Sequence, residues 1–301
     1  MMVKFWKIAL LGLIIISMVS CSAENSSSYV LEKAKERRES QSERKLFKDF
    51  FKEESVENQN KVMNIEEKEE VTEEFFDRSF KLVFFGDSLT QGVGDESKNG
   101  GFTSIVKQHY EAKPYIDNVS VTNLGVRGNR TNHLLKRLED PEVQEALAEA
   151  DVIFMTVGGN DLMKVIRENF LDLTFSLFDK EQELYAKRLD SVLGEVRKHN
   201  DSSRIYLVGL FNPFYHFFQE IKEMNEVVTN WNATTISILD EYPNTAYVPI
   251  QDIFIDPEEN LLDDDQFHPN QKGYQLIGNN IVNEIKRFNE ETSLEEMLEE
   301  E

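Results

Sequence analysis

A second cysteine is missing from this 301-residue chain, so no disulfide can close within it. That lack is compatible with an exported bacterial protein whose core is large enough to stand without a staple. Positive charge is scarce: 33 Lys and Arg face 56 Asp and Glu, for a formal net charge of -23. The imbalance argues against nucleic acid as a partner and against adsorption to anionic surfaces by charge alone. Part of the acid sits in solvated tails such as residues 290–301, so it does not all describe a binding pocket. No internal repeat is visible. An apolar run long enough for a comfortable membrane span is absent too, because the candidate at residues 8–19 is too short. With Lys4 and Lys7 preceding or opening it, that run reads as a secretion signal.

What is present divides the chain unevenly. Residues 25–78 are dominated by Glu, Lys, Arg, Ser, Asn and Gln, with too few apolar side chains to bury a core. The expected organisation is a signal peptide at 1–20, a polar tether at 21–79 that is partly helical or disordered, one catalytic-sized domain at 80–289 and an acidic tail at 290–301. Within the tether, Leu46, Phe47, Phe50 and Phe51 make a short apolar stripe suited to a partly helical stalk. Phe75, Phe76 and Phe80 are expected to pack against the domain edge.

The most informative segment is Lys81-Leu82-Val83-Phe84-Phe85-Gly86-Asp87-Ser88-Leu89-Thr90, an apolar run that stops at Gly-Asp-Ser. It reads as a strand covered on both faces that hands a serine to a tight turn. Asp87-Ser88 could equally cap the next helix. A serine nucleophile needs a base, a group to orient that base, and donors for the oxyanion. Asp263-Asp264-Asp265-Gln266-Phe267-His268-Pro269 offers the first two, just before a stretch with helical apolar spacing at Tyr274, Ile277, Ile281 and Ile285. An Asp three residues ahead of a His can fold back to accept the Nδ1 proton and leave Nε2 free. His109, His133, His199 and His216 have no such acid and are expected to be surface or satisfied residues. Donors come from two glycine turns, each after a strand-like run: Gly125 to Gly128 with Asn129, and Gly158-Gly159 with Asn160. A metal held by Asp263, Asp264, Asp265 and His268 is the competing use of the same residues, although adjacent acids have poor first-shell spacing.

Strands are expected at 82–85, 119–124, 152–157, 205–210 and 246–250, with helical stretches at 182–199, 221–239 and 271–288. Strand and helix in alternation imply an α/β fold: a parallel sheet with right-handed crossovers and helices on both faces. The Phe- and Leu-rich pieces 162–178 and 211–218 fall at the catalytic edge of that sheet, where they would either form an apolar acyl- or ring-binding rim or pack as core.

Taken together, Gly86-Asp87-Ser88-Leu89, the Asn123 to Asn129 turn, Gly159-Asn160-Asp161 and Asp265-Gln266-Phe267-His268-Pro269 resemble the ordered signature blocks of the GDSL, or SGNH, hydrolase family. The resemblance implies a three-layer sandwich around a five-stranded parallel sheet in flavodoxin-like order. It makes Ser88 the nucleophile, His268 the base and Asp265 its orienting acid. The family spacing counted from Asn123 points to Gly128, in preference to Gly125, as a backbone oxyanion donor beside Asn160 and the Ser88 N–H. No cofactor or metal is implied. The expected activity is ester hydrolysis through an acyl-enzyme on a small-molecule, lipid or sugar ester. The rivals are an acyltransferase or deacetylase on cell-envelope sugars and a non-catalytic envelope binding module.

Upstream, Met18-Val19-Ser20-Cys21 resembles a bacterial lipobox, with Met18 where an aliphatic residue is usual. It implies lipidation of Cys21, membrane attachment through it, and a location on the extracytoplasmic face of a bacterial cell membrane.

Overall fold

The computed structural model describes residues 79–215 and 222–299. Five strands form one sheet: β1 (Phe80–Gly86), β2 (Val119–Gly125), β3 (Val152–Thr156), β4 (Arg204–Val208) and β5 (Thr245–Val248). Their order is β2-β1-β3-β4-β5 and every pairing is parallel, which is the expected flavodoxin-like arrangement. Each crossover carries helix. α1 (Ser88–Gln91) and α2 (Phe102–Glu111) follow β1, and α3 (Thr131–Arg137) and α4 (Pro141–Ala148) follow β2. After β3 come α5 (Gly159–Glu168) and α6 (Phe175–His199), after β4 comes α7 (Lys222–Leu239), and after β5 a single 3-10 turn (Gln251–Phe254) leads to α8 (Gln271–Glu299).

Side chains alternate across each strand, and both sets are buried in β1. Val83, Phe85, Ile153, Met155, Ile205 and Leu207 meet Leu134 of α3, Leu147 of α4 and the apolar stripes of α6 and α7. Leu82, Phe84, Phe154, Tyr206 and Val248 meet Phe102 and Val106 of α2 and Tyr274, Ile277, Ile281 and Ile285 of α8. This two-sided burial is why the strands read as near-continuous apolar runs. Each fully buried Phe or Leu contributes about 1.5–3 kcal/mol of transfer free energy. Phe80 extends the second layer by stacking on Tyr110 at 5.0 Å; Phe75, Phe76 and the stalk stripe lie outside the described residues.

β4 and β5 each end two residues before the expected position, at Val208 and Val248, and two helices run longer than expected. α6 begins at Phe175, seven residues before the expected start at 182, because Phe178 is buried and carries the apolar stripe back a further turn. α8 continues past Phe288 to Glu299. Among the described residues no helix is long and apolar enough to cross a membrane.

Candidate active site

The end of β1 builds the serine turn. Gly86 sits where a Cβ would come within 2.4 Å of the Thr156 carbonyl oxygen, so the strand needs glycine to lie this close to β3. Asp87 is almost fully buried and caps α1: its Oδ1 accepts from the Leu89 N–H at 3.0 Å and from Thr156 Oγ1 at 2.7 Å. Burial pushes the Asp87 carboxyl up, opposed by those two hydrogen bonds. Asp87 is therefore the cap and Ser88 the first helical residue, so the capping role falls to Asp87 alone. A first-turn N–H has no partner inside its own helix, so the Ser88 N–H is not used by α1. Thr156 is a residue the sequence reading missed; its only signal was a lone hydroxyl ending the apolar run of β3.

His268 comes to Ser88 across 180 positions of chain. Its Nε2 lies 2.8 Å from Ser88 Oγ, and its Nδ1 lies 2.5 Å from Asp265 Oδ2. The second oxygen of Asp265 accepts from the backbone N–H groups of His268 at 2.9 Å and Phe267 at 3.0 Å. Burial works to raise the Asp265 carboxyl, but the hydrogen bonds from the His268 backbone, the His268 ring and the Phe267 backbone outweigh it and hold the group below the usual carboxylate range. An ionised carboxylate only accepts, so the imidazole proton belongs on Nδ1 and Nε2 is left to accept the serine proton. Arg127 approaches the same carboxylate at 3.7 Å from a largely exposed position, where such a pair adds little.

The two glycine turns also converge. Gly128 has φ +82°, a left-handed conformation that glycine adopts without strain, and a Cβ there would meet nothing, so conformation and not crowding selects it. Asn129 closes the turn by donating its N–H to the Val126 carbonyl at 3.1 Å. Asn160 stands in the first turn of α5, buried, and donates one amide N–H to the Asn129 carbonyl at 3.0 Å. An amide has two N–H donors, so this bond fixes the rotamer and leaves one donor over. Beside it, the fully buried Asp161 accepts from the Thr131 N–H at 3.0 Å and from Thr131 Oγ1 at 2.6 Å. Gly125 instead lies packed against α1, its Cβ position 2.2 Å from the Gln91 nitrogen.

A mostly apolar cleft of about 50 Å³ opens beside the serine turn, between the ends of β3 and β4. Leu162 and Met163 of α5, Phe211, Pro213 and Phe214 after β4, and Phe267 beside the histidine line it. The two Phe- and Leu-rich pieces of the sequence therefore divide: some members line this cleft, Phe178 joins the core, and Phe170 and Leu171 are exposed on the connection from α5 to α6. Residues 216–218 lie outside the described residues.

The other described histidines, His109, His133 and His199, make no hydrogen bond to this cluster. His133 accepts from the Arg130 N–H through Nδ1 at 3.2 Å, while the half-buried His109 has a buried Nε2 with no hydrogen-bond partner among the described residues, where a surface or satisfied residue was expected. His199 ends α6, and His216 and Cys21 lie outside the described residues. Among the described residues no group of three or more His, Cys, Asp or Glu is arranged to hold a metal ion.

Just past the first strand of a parallel α/β sheet, a serine is thus joined to a His and, through it, to an Asp. The model of the GDSL-like lipase/acylhydrolase family matches residues 84–276, and the chain belongs to that family and is an ester hydrolase. It is 37% identical over 208 residues to the protein YpmR of Bacillus subtilis, covering 68% of this chain and 81% of that one. It is 26% identical over 204 residues to the spore germination lipase LipC of Bacillus licheniformis, covering 67% and 95%. Among solved structures, the lipase Lip_vut3 from a goat rumen metagenome shares the fold at a TM-score of 0.60 and 23% identity, over 67% of this chain and 96% of that one. An acetyl-xylooligosaccharide esterase from Geobacillus does so at 0.52 and 22%, over 70% and 96%.

Proposed function

We propose that the chain is a lipid-anchored, extracytoplasmic serine esterase working through an acyl-enzyme, with Ser88, His268 and Asp265 as its catalytic triad. The observation that carries the triad is the unbroken line from Asp265 Oδ2 to His268 Nδ1 and from His268 Nε2 to Ser88 Oγ. Ser88 Oγ attacks the ester carbonyl carbon as its proton passes to His268 Nε2. The carbonyl oxygen becomes the oxyanion and takes hydrogen bonds from the N–H groups of Ser88 and Gly128 and from the remaining amide N–H of Asn160. His268 then gives its proton to the leaving alcohol oxygen as the ester C–O bond breaks. Water, deprotonated by the same imidazole, attacks the acyl-enzyme; the proton returns to Ser88 and the acid is released. The acyl group lies in the apolar cleft between α5 and the segment after β4.

Ser88→Ala should fold and lose both hydrolysis of a short-chain nitrophenyl ester and labelling by an organophosphonate probe. Labelling that persists in the folded variant would end the assignment of Ser88.

The location rests on the charged start, the short apolar run and Cys21 followed by a polar tether. A lipidated Cys21 carrying two or more acyl chains, at roughly 0.8 kcal/mol per buried CH₂, would hold the enzyme stably at a membrane where a single chain is marginal. Metabolic labelling with a fatty-acid analogue should mark the wild-type protein and not Cys21→Ala. An unlabelled wild-type protein would remove the anchor and leave the esterase untouched.

A further inference from the structure

Behind the glycine turns lies an ionic cluster, its carboxylates buried and its cations partly exposed, for which the reaction has no direct use. Arg188, in the middle of α6, donates from Nε to Thr131 Oγ1 at 2.7 Å and from Nη2 to Asp161 Oδ1 at 3.1 Å and Glu181 Oε1 at 2.7 Å. Glu181, nearly as buried, is held from its other oxygen by Lys164 of α5 at 3.1 Å. Thr131 is the first residue of α3, three positions past Gly128, and Asp161 directly follows Asn160. One guanidinium therefore joins the loop that presents Gly128 to the helix start that presents Asn160, and the Asn160 to Asn129 hydrogen bond ties the same two segments a second time.

We infer that Arg188 is a positioning residue: through Thr131 and Asp161 it sets the spacing between the two loops that offer the oxyanion donors. This rests on the oxyanion roles proposed above for Gly128 and Asn160. The physical case is that oxyanion donors contribute only when prearranged, and neither loop is fixed by the sheet itself, since both begin where their strands end. Asp161 is fully buried, and a buried carboxylate is tolerated only when paired and hydrogen-bonded. Here its hydrogen-bond partners are the backbone and hydroxyl of Thr131, on the loop to be aligned, and Arg188, which reaches in from α6. A guanidinium suits the task because its rigid planar fork presents donors on two nitrogens in fixed directions, Nε to Thr131 and Nη2 to Asp161 and Glu181, whereas the donors of lysine all radiate from one freely rotating nitrogen.

The test is a cycle of Arg188→Gln, Asn160→Ala and the double variant, assayed on a soluble nitrophenyl ester with circular dichroism to confirm folding. Arg188 is partly exposed, so Arg188→Gln is expected to fold. It should lower kcat on the order of tenfold to a hundredfold and leave KM within about twofold, because misplaced donors weaken the transition state and not the bound ester. In the Asn160→Ala background the same change should cost severalfold less, since one of the donors it positions is already gone. Glu181→Gln, which removes the anchor of Arg188, should give a smaller loss of the same kind and serves if Arg188→Gln does not fold. A folded Arg188→Gln with wild-type kcat, or a loss fully additive with that of Asn160→Ala, overturns the positioning role alone. An Asn160→Ala enzyme with unchanged kcat overturns the oxyanion assignment and the positioning role with it.

Discussion

The two sides of Ser88 are built on opposite plans. On the base side, Asp265 and His268 lie three residues apart in one loop, and a single carboxylate takes two backbone N–H groups of that loop together with the ring. The unit is local and its carboxylate is about one third exposed. On the side of the proposed oxyanion donors, Gly128, Thr131, Asn160, Asp161 and Arg188 come from three separate segments, and Thr131 and Asp161 have no exposed surface. A local unit can be specified by sequence spacing because the chain between its members is short. A distributed one is held by buried polar groups that must all be satisfied together, since a partly satisfied network in a low-dielectric interior costs more than an apolar one.

That contrast can be broken by substitution. The largest effect should come from the base side. Asp265→Asn keeps an oxygen to accept the loop N–H groups, but it can turn its NH₂ toward His268 Nδ1. The imidazole proton then moves to Nε2, which can no longer accept from Ser88. A fall in kcat of about 10⁴ is expected for such a tautomer change, as in a serine-protease triad, with thermal stability nearly preserved. Steady-state kinetics and a melting curve on the same sample decide it; a kcat near wild type would mean that Asp265 does not orient the base.

Asn160→Ala should cost less in kcat, roughly 10² to 10³, because it removes one donor and leaves two. Its effect on stability should nevertheless exceed that of Asp265→Asn. It removes the hydrogen bond to the buried Asn129 carbonyl and leaves that acceptor without its partner, a loss of about 1–3 kcal/mol. Equal melting temperatures for the two variants would show that the distributed side is no more tightly coupled to the fold than the local one.

By itself the sequence determined the sheet and the base side. Apolar runs ended by glycine mark each strand whose faces are both covered, and in β1, β3 and β4 burial on both faces leaves little room for polar residues. The contact of Asp265 with His268 was legible because their relation is one of spacing, and Ser88 and the two glycine-Asn turns because each lies within a few residues of a strand end; the preference for Gly128 over Gly125 came from the family resemblance alone. Only the tertiary structure decided which polar residues stand behind them. Thr156, Thr131 and Arg188 sit in segments whose local pattern is complete without them: a strand end, a helix start and the middle of an amphipathic helix. Arg188 lies 27 positions from Asp161 and 57 from Thr131, and no local periodicity relates residues so far apart. They meet because α3, α5 and α6 pack on the same face of the sheet, and that packing alone brings a cation to a carboxylate that would otherwise be buried without one.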